Sequence, residues 1–143
     1  MSYDLMVFEP SAAPRDRAHF MEWHNRQVQW SEGHGYSDPT VASPALQRWY
    51  QDMIQFYPSL NGPLASNDVD NPKLTDHCIG MHVIYSAFAW SCAVDDARAT
   101  MRALAAKHAV GFFDVSSDEG EIVFPGDFDK PDKRGHKPWW KLW

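Results

Sequence analysis

The side chains able to do chemistry are seven histidines, two cysteines and several close-set carboxylates in a chain of 143 residues. Metal ligation is the first chemistry these types suggest. His19 and His24 lie on different faces of any regular helix, so they cannot share one ion. The zinc-protease spacing His-Glu-x-x-His is absent. His77 and His82 flank a turn and could converge, but two histidines without a third ligand make a poor zinc site. Asn67-Asp68-Val69-Asp70-Asn71 resembles half of a calcium loop, yet it lacks the glycine and the closing glutamate such a loop requires. No bound metal is expected.

Nucleophilic chemistry fares no better. Cys92 falls where a helix is predicted to begin, and a helix N-terminus lowers a thiol pKa. No histidine stands near it in sequence, and a buried, inert cysteine is the commoner state. The nucleophile elbow GxSxG, the dinucleotide fingerprint GxGxxG and the phosphate-binding Walker loop are all missing. The expectation is a protein with no catalytic residues and no cofactor, not an enzyme. The neighbouring acids Asp95/Asp96 and Asp118/Glu119/Glu121 fit helix capping and solubility. The second set falls at a hairpin tip, where a basic partner could read it.

Aromatic residues are the other resource. Seven tryptophans are present, and Trp139, Trp140 and Trp143 crowd the last five positions. They could fold back over a groove of their own domain or be offered to another chain, since tryptophan is enriched where binding energy concentrates. Lys137 and Lys141 beside them would suit a membrane interface, but so short a stretch is too little to anchor.

Net charge is −6 and uneven: residues 126–143 hold five Lys/Arg against three Asp, whereas residues 1–125 hold eight Lys/Arg against sixteen Asp/Glu. An acidic body disfavours nucleic acid, whose phosphates need basic surface. It suits a basic protein partner through complementary fields. No apolar run is long enough to span a membrane, and residues 1–10 do not read as a secretory signal. Two cysteines without a Cys-x-x-Cys spacing fit a reduced, cytoplasmic protein, with one Cys78–Cys92 disulfide left open. Oligomeric state is left open as well.

The elements that must position these residues follow from periodicity. Tyr3 to Phe8 reads as a strand whose consecutive apolar residues predict burial on both faces. Pro14 and Asp16 open a helix over about 15–30, with Phe20, Trp23, Gln27 and Trp30 on one side. Ser43-Pro44 starts a second helix carrying Leu46, Trp49, Tyr50, Met53, Ile54 and Tyr57, which Pro58 stops. Residues 59–75 form a long polar loop. Strands are predicted near His77–Gly80 and Val83–Trp90, then a helix over about 93–108 capped by Ser91 or Cys92. A strand over Val110–Val115 turns at Ser117–Gly120 into Glu121–Phe124. The order β-α-α-β-β-α-β-β predicts an α+β fold. Its antiparallel-rich sheet carries helices packed on one face, as a ferredoxin-like variant. Residues 1–125 are expected to form one domain and 126–143 a Trp/Lys-rich tail.

Four segments, Tyr3-Asp-Leu-Met-Val-Phe-Glu-Pro10, Ala13-Pro-Arg-Asp-Arg17, Asn61-Gly-Pro63 and Gly111-Phe-Phe-Asp-Val-Ser-Ser117, together resemble a family of small bacterial proteins. Those proteins look like the immunity proteins encoded beside polymorphic and secreted toxins. The resemblance implies neutralisation of a cognate toxin domain by direct binding and occlusion of its active site. Glu32, Asp118 and Glu119 would then meet basic toxin residues while Trp139, Trp140 and Trp143 fill its cleft. The alternative from another class is a small-molecule-binding protein or enzyme, its pocket between the sheet and the 59–75 loop lined by Glu9, Trp23, Asn61, Asp76 and Trp90.

Overall fold

The first strand, β1 (Ser2–Phe8), sends its side chains two ways, and both sets are buried: Leu5 and Val7 on one face, Met6 and Phe8 on the other. A strand buried on both faces over its second half belongs inside a sheet. β1 is indeed the central strand of five in the computed structural model, which describes residues 2–89, 91–118 and 120–129.

The other elements are α1 (Arg17–Gln27), α2 (Pro44–Met53), β2 (Asp76–Ile79), β3 (Val83–Ala89), α3 (Val94–His108), β4 (Gly111–Phe113) and β5 (Ile122–Val123). The strands lie in the order β2-β3-β1-β4-β5 and every pairing is antiparallel. The order β2-β3-β1-β4 is that of a ferredoxin-like sheet, with β5 added at the edge by a hairpin. The mixed α+β class and the order of elements agree with the sequence expectation.

The expectation of helices on one face needs correction. α2 and α3 cover the face that bears Leu5, Val7, Ile84 and Phe112, through Leu46, Trp49, Tyr50, Met53, Ala97, Met101 and Ala105. α1 lies on the opposite face, where Phe20 and Trp23 pack on Met6, Phe8, Phe113 and Phe124. Rings there meet edge to face, with Phe8 5.0 Å from Phe20 and 5.2 Å from Phe124. The apolar half of β1, Leu5 to Phe8, requires cover on both sides, and α1 supplies the second.

Local chemistry sets the helix ends. Asp16 accepts the His19 N–H at 3.1 Å and starts α1 at Arg17, while Ser43 accepts the Leu46 N–H at 3.4 Å ahead of Pro44. α1 ends at Gln27, so Trp30 lies beyond it with a left-handed φ of 52°. Neither Ser91 nor Cys92 caps α3: the cap position is Ala93, which makes no side-chain bond. The packed unit also runs past 125, because Phe128 is buried in the α2/α3 core.

The predicted 59–75 loop is present and closed at its neck. Ser59 and Thr75 form a parallel bridge, reinforced by Leu60 N–H donating to the Thr75 carbonyl at 2.9 Å and Ser66 N–H to the Ser59 carbonyl at 2.9 Å. Gly62 has φ 89°, and a Cβ there would overlap the Ser37 carbonyl. That approach seats the Asn61-Gly-Pro63 segment against the 28–43 loop, and only glycine permits it.

Candidate binding face

β2, and β3 from Ile84 onward, alternate in burial, unlike the second half of β1. His77, Ile79, Ile84, Ser86 and Phe88 are buried under α2 and α3, whereas Asp76, Cys78, Tyr85 and Ala87 on the reverse face are only half-buried. α1 covers the β1/β4 half of that reverse face together with Val83 at the end of β3, and among the described residues no helix lies over the remaining β3/β2 half. That half carries the half-buried Asp76, Cys78, Tyr85 and Ala87.

Three strands build its centre. Asp4 on β1 pairs with Ala87 on β3, which pairs in turn with Asp76 on β2. One row along, Tyr85 pairs with Cys78. Asp4 Oδ2 accepts the Tyr85 hydroxyl at 2.6 Å and Oδ1 the Ser2 hydroxyl at 2.7 Å. Asp76 Oδ1 accepts the Asn61 side-chain amide at 2.9 Å and lies 3.9 Å from the Cys78 sulfur. Among the described residues neither aspartate is ion-paired with a Lys, Arg or His. Trp30, turned out of α1, closes one side, its ring 6.2 Å from Tyr85 and 5.0 Å from Tyr36.

The titratable neighbours register this negative field. Burial, then the charges of Asp76 and Asp4, push the Cys78 thiol up to about 11. Burial and the Asp4 carboxylate hold the Tyr85 hydroxyl far above the usual phenol range. Both groups therefore stay protonated at neutral pH and act as hydrogen-bond donors. A thiol held up this way is no nucleophile. The helix-start argument for Cys92 fails too, because burial raises its pKa. Cys78 and Cys92 are both free.

The residues singled out from sequence are scattered. Glu32 is engaged within the chain: its Oε1 lies 2.6 Å from His34 Nε2 and accepts the Met81 N–H at 3.1 Å. Asp118 is exposed at the β4–β5 turn. Glu119, Trp139, Trp140, Trp143 and Trp90 lie outside the described residues. Of the four described residues expected around a small-molecule pocket, Asn61 and Asp76 come together and Glu9 and Trp23 do not join them. Glu9 caps the short turn Pro10–Ala12, and Trp23 is buried beneath α1, 6.0 Å from Phe8. His77 and His82 do not converge: His77 is enclosed on the α2/α3 side, bonded to Ser86 Oγ at 2.7 Å and the Tyr57 carbonyl at 3.1 Å. Among the described residues no three His, Cys, Asp or Glu side chains gather in a way that could hold a metal ion.

Comparison with protein-family models, curated proteins and solved structures found no match in any of the three. The assignment of roles therefore stands on geometry.

That geometry also corrects Glu121, which is not part of an exposed acidic tip. Its carboxylate is buried and takes a two-pronged contact from Arg102, Nε to Oε1 at 2.9 Å and Nη2 to Oε2 at 3.0 Å. Arg98 bridges Glu121 and Asp114, each at 2.9 Å, and Tyr3 donates to Asp114 at 2.8 Å. The Gly111–Ser117 segment serves the fold in the same way: Ser116 Oγ accepts the Asp4 N–H at 2.8 Å. This contact fixes the backbone beneath the Asp4 carboxylate.

Asp4, Tyr85, Ala87, Trp30 and Tyr36 escaped the sequence reading. The usable signal was the alternation along β2 and β3. It was obscured because His77 and Ser86, both polar, point into the α2/α3 core, while Val83 on the reverse face is buried by α1.

Proposed function

We propose that this protein binds a basic protein partner with the acidic half of its sheet and occludes that partner's working surface, as an immunity-type protein neutralises a toxin. The observation that carries the reading is the sheet face bearing the half-buried Asp4 and Asp76, two carboxylates with no cation paired to them among the described residues. A basic partner would complete them, and complementary fields favour such an encounter. The overall charge of −6 acts in the same direction at long range.

Exposed apolar side chains are also present: Leu60 and Leu64 on the 59–75 loop and Met81 on the β2–β3 turn are exposed by 50%, 42% and 44%. A stable interface would bury about 1,200–2,000 Å² in total.

Co-expression with the product of the neighbouring gene, followed by size-exclusion chromatography, tests the reading. A stoichiometric complex with loss of the partner's toxicity is the expected result. Separate elution of the two chains removes the proposal.

A further inference from the structure

We propose that His34 and Glu32 form a proton-controlled clip that fastens the 28–43 loop to the β2–β3 turn and loosens when the imidazole loses its proton. The clip stands whether or not the sheet face binds a partner. Each ring nitrogen of His34 faces an acceptor: the Gly35 carbonyl lies 2.9 Å from Nδ1, and Glu32 Oε1 lies 2.6 Å from Nε2. A neutral imidazole carries one N–H and one lone pair, so it can donate to only one of these. Its lone pair would then point at the other acceptor. The imidazolium donates to both, and its bond to the carboxylate is charge-assisted. The arrangement is therefore that of the protonated ring.

The same Glu32 oxygen carries the contact across to the sheet by accepting the Met81 N–H at 3.1 Å. Two backbone bonds flank it: Ile79 N–H donates to the Tyr36 carbonyl at 2.8 Å, and Ser43 N–H to the Met81 carbonyl at 3.2 Å. Within the loop, the Glu32 N–H donates to the Tyr36 hydroxyl at 2.7 Å, and the Tyr36 ring lies 4.6 Å from the His34 ring. Asp38 acts on His34 through its field. The titratable residue of the turn itself is His82, next to Met81. Among the described residues no Lys or Arg pairs with Glu32. Loss of the His34 proton thus removes the cation that balances Glu32.

The Gly35 carbonyl first, then the Glu32 carboxylate, hold the pKa of His34 above its ordinary 6.5 against a smaller opposing effect of burial. The folded chain therefore keeps this proton more tightly than the unfolded one. Stabilisation from the clip is whole below about pH 6.5 and is lost as pH rises through the raised value. Trp30 and Tyr36 belong to the same loop, their rings 5.0 Å apart, and Trp30 lies 6.2 Å from Tyr85 on the sheet face. Release of the clip would alter that edge of the face.

NMR of the full-length protein tests the clip, with the histidine ring nitrogens and the protection of the Met81 amide followed from about pH 5.5 to 9. His34 is expected to titrate above 6.5. Met81 protection, corrected for the intrinsic pH dependence of exchange, is expected to fall by about threefold or more with the same midpoint. His34→Gln should remove that step, and Glu32→Gln should lower the His34 midpoint. His82→Gln should keep the step, as should His19→Gln on α1, where the ring pairs with Asp16. Thermal melts check that each variant is folded.

A His34 midpoint at or below 6.5 overturns the proposal, as does Met81 protection that does not change with pH. A step that persists in His34→Gln, or vanishes in His82→Gln, overturns it as well, because another group would then be the sensor. An unchanged His34 midpoint in Glu32→Gln would show that the carboxylate does not hold the proton, and removes the clip. If His34→Gln does not fold, the two wild-type midpoints decide: coincidence supports the clip and separation overturns it.

Discussion

His77 is enclosed completely between β3 and the end of α2, and burial pulls its pKa down to about 4. The neutral ring is the form that fits: it bonds Ser86 Oγ and the Tyr57 carbonyl. In the unfolded chain it titrates near its ordinary value, so the unfolded state binds the extra proton between about pH 6.5 and 4. Stability from this residue is therefore whole above about pH 6.5 and is lost as pH falls towards 4, by about 3 kcal/mol. His24, also lowered by burial, acts in the same direction. Urea titrations at several pH values should show that His77→Gln flattens this dependence. An unchanged slope in the variant would assign the loss to other groups.

The Arg102–Glu121 pair is a second residue-scale commitment. Removing one member of a buried pair leaves the other charged and unmatched, at a cost of about 3–5 kcal/mol. Glu121→Ala should therefore lower the urea midpoint sharply, and Asp118→Ala, on the exposed turn nearby, should change stability by less than about 0.5 kcal/mol. Equal effects from the two would mean that the network contributes nothing specific.

At the scale of elements, α3 starts without a side-chain cap. Asp95 and Asp96 already favour its first turn through the helix dipole, so Ala93 is the weak point. Ala93→Asp should stabilise the fold by about 0.5–1 kcal/mol and raise the melting temperature. No rise would show that the N–H groups at this end are satisfied another way.

Element type was legible where the period was clean. The stripes of α2 and α3 and the apolar run of β1 each gave the right structure at nearly the right place. The side of the sheet taken by α1 was not read, although β1 held the clue: a strand apolar on both faces cannot carry helices on one face alone. The binding face was hidden for a related reason. Burial, which decides what a strand position does, depends on which helix lies above it, and that is a tertiary fact. Gly120 shows the same limit, since a Cβ there would overlap the Asp114 carbonyl, a neighbour set by the turn as a whole.

For the whole molecule, the decisive asymmetry is one of coverage. One face of the sheet is covered by two helices, and the other is divided between a half under α1 and an acidic half over which no described helix lies. If that half meets a basic partner, association should slow as salt screens the field. Raising ionic strength from about 0.05 to 0.3 M should cut the association rate much more than it raises the dissociation rate. Stopped-flow mixing measures both, and a salt-independent association rate would place the contact on apolar surface instead. Among the described residues no helix is long and apolar enough to cross a membrane.

The closed neck at Ser59 and Thr75 has a practical corollary. Because those two residues hold the ends of the loop together, lengthening the span at its tip, where Val69 is exposed, costs little. A short epitope or fluorophore tag spliced between Asn67 and Asp68 should leave the melting temperature within about 2 °C of the parent. Such a tag would report docking from beside the acidic face; a large drop in melting temperature would mean that the loop tip is bound up with the core after all.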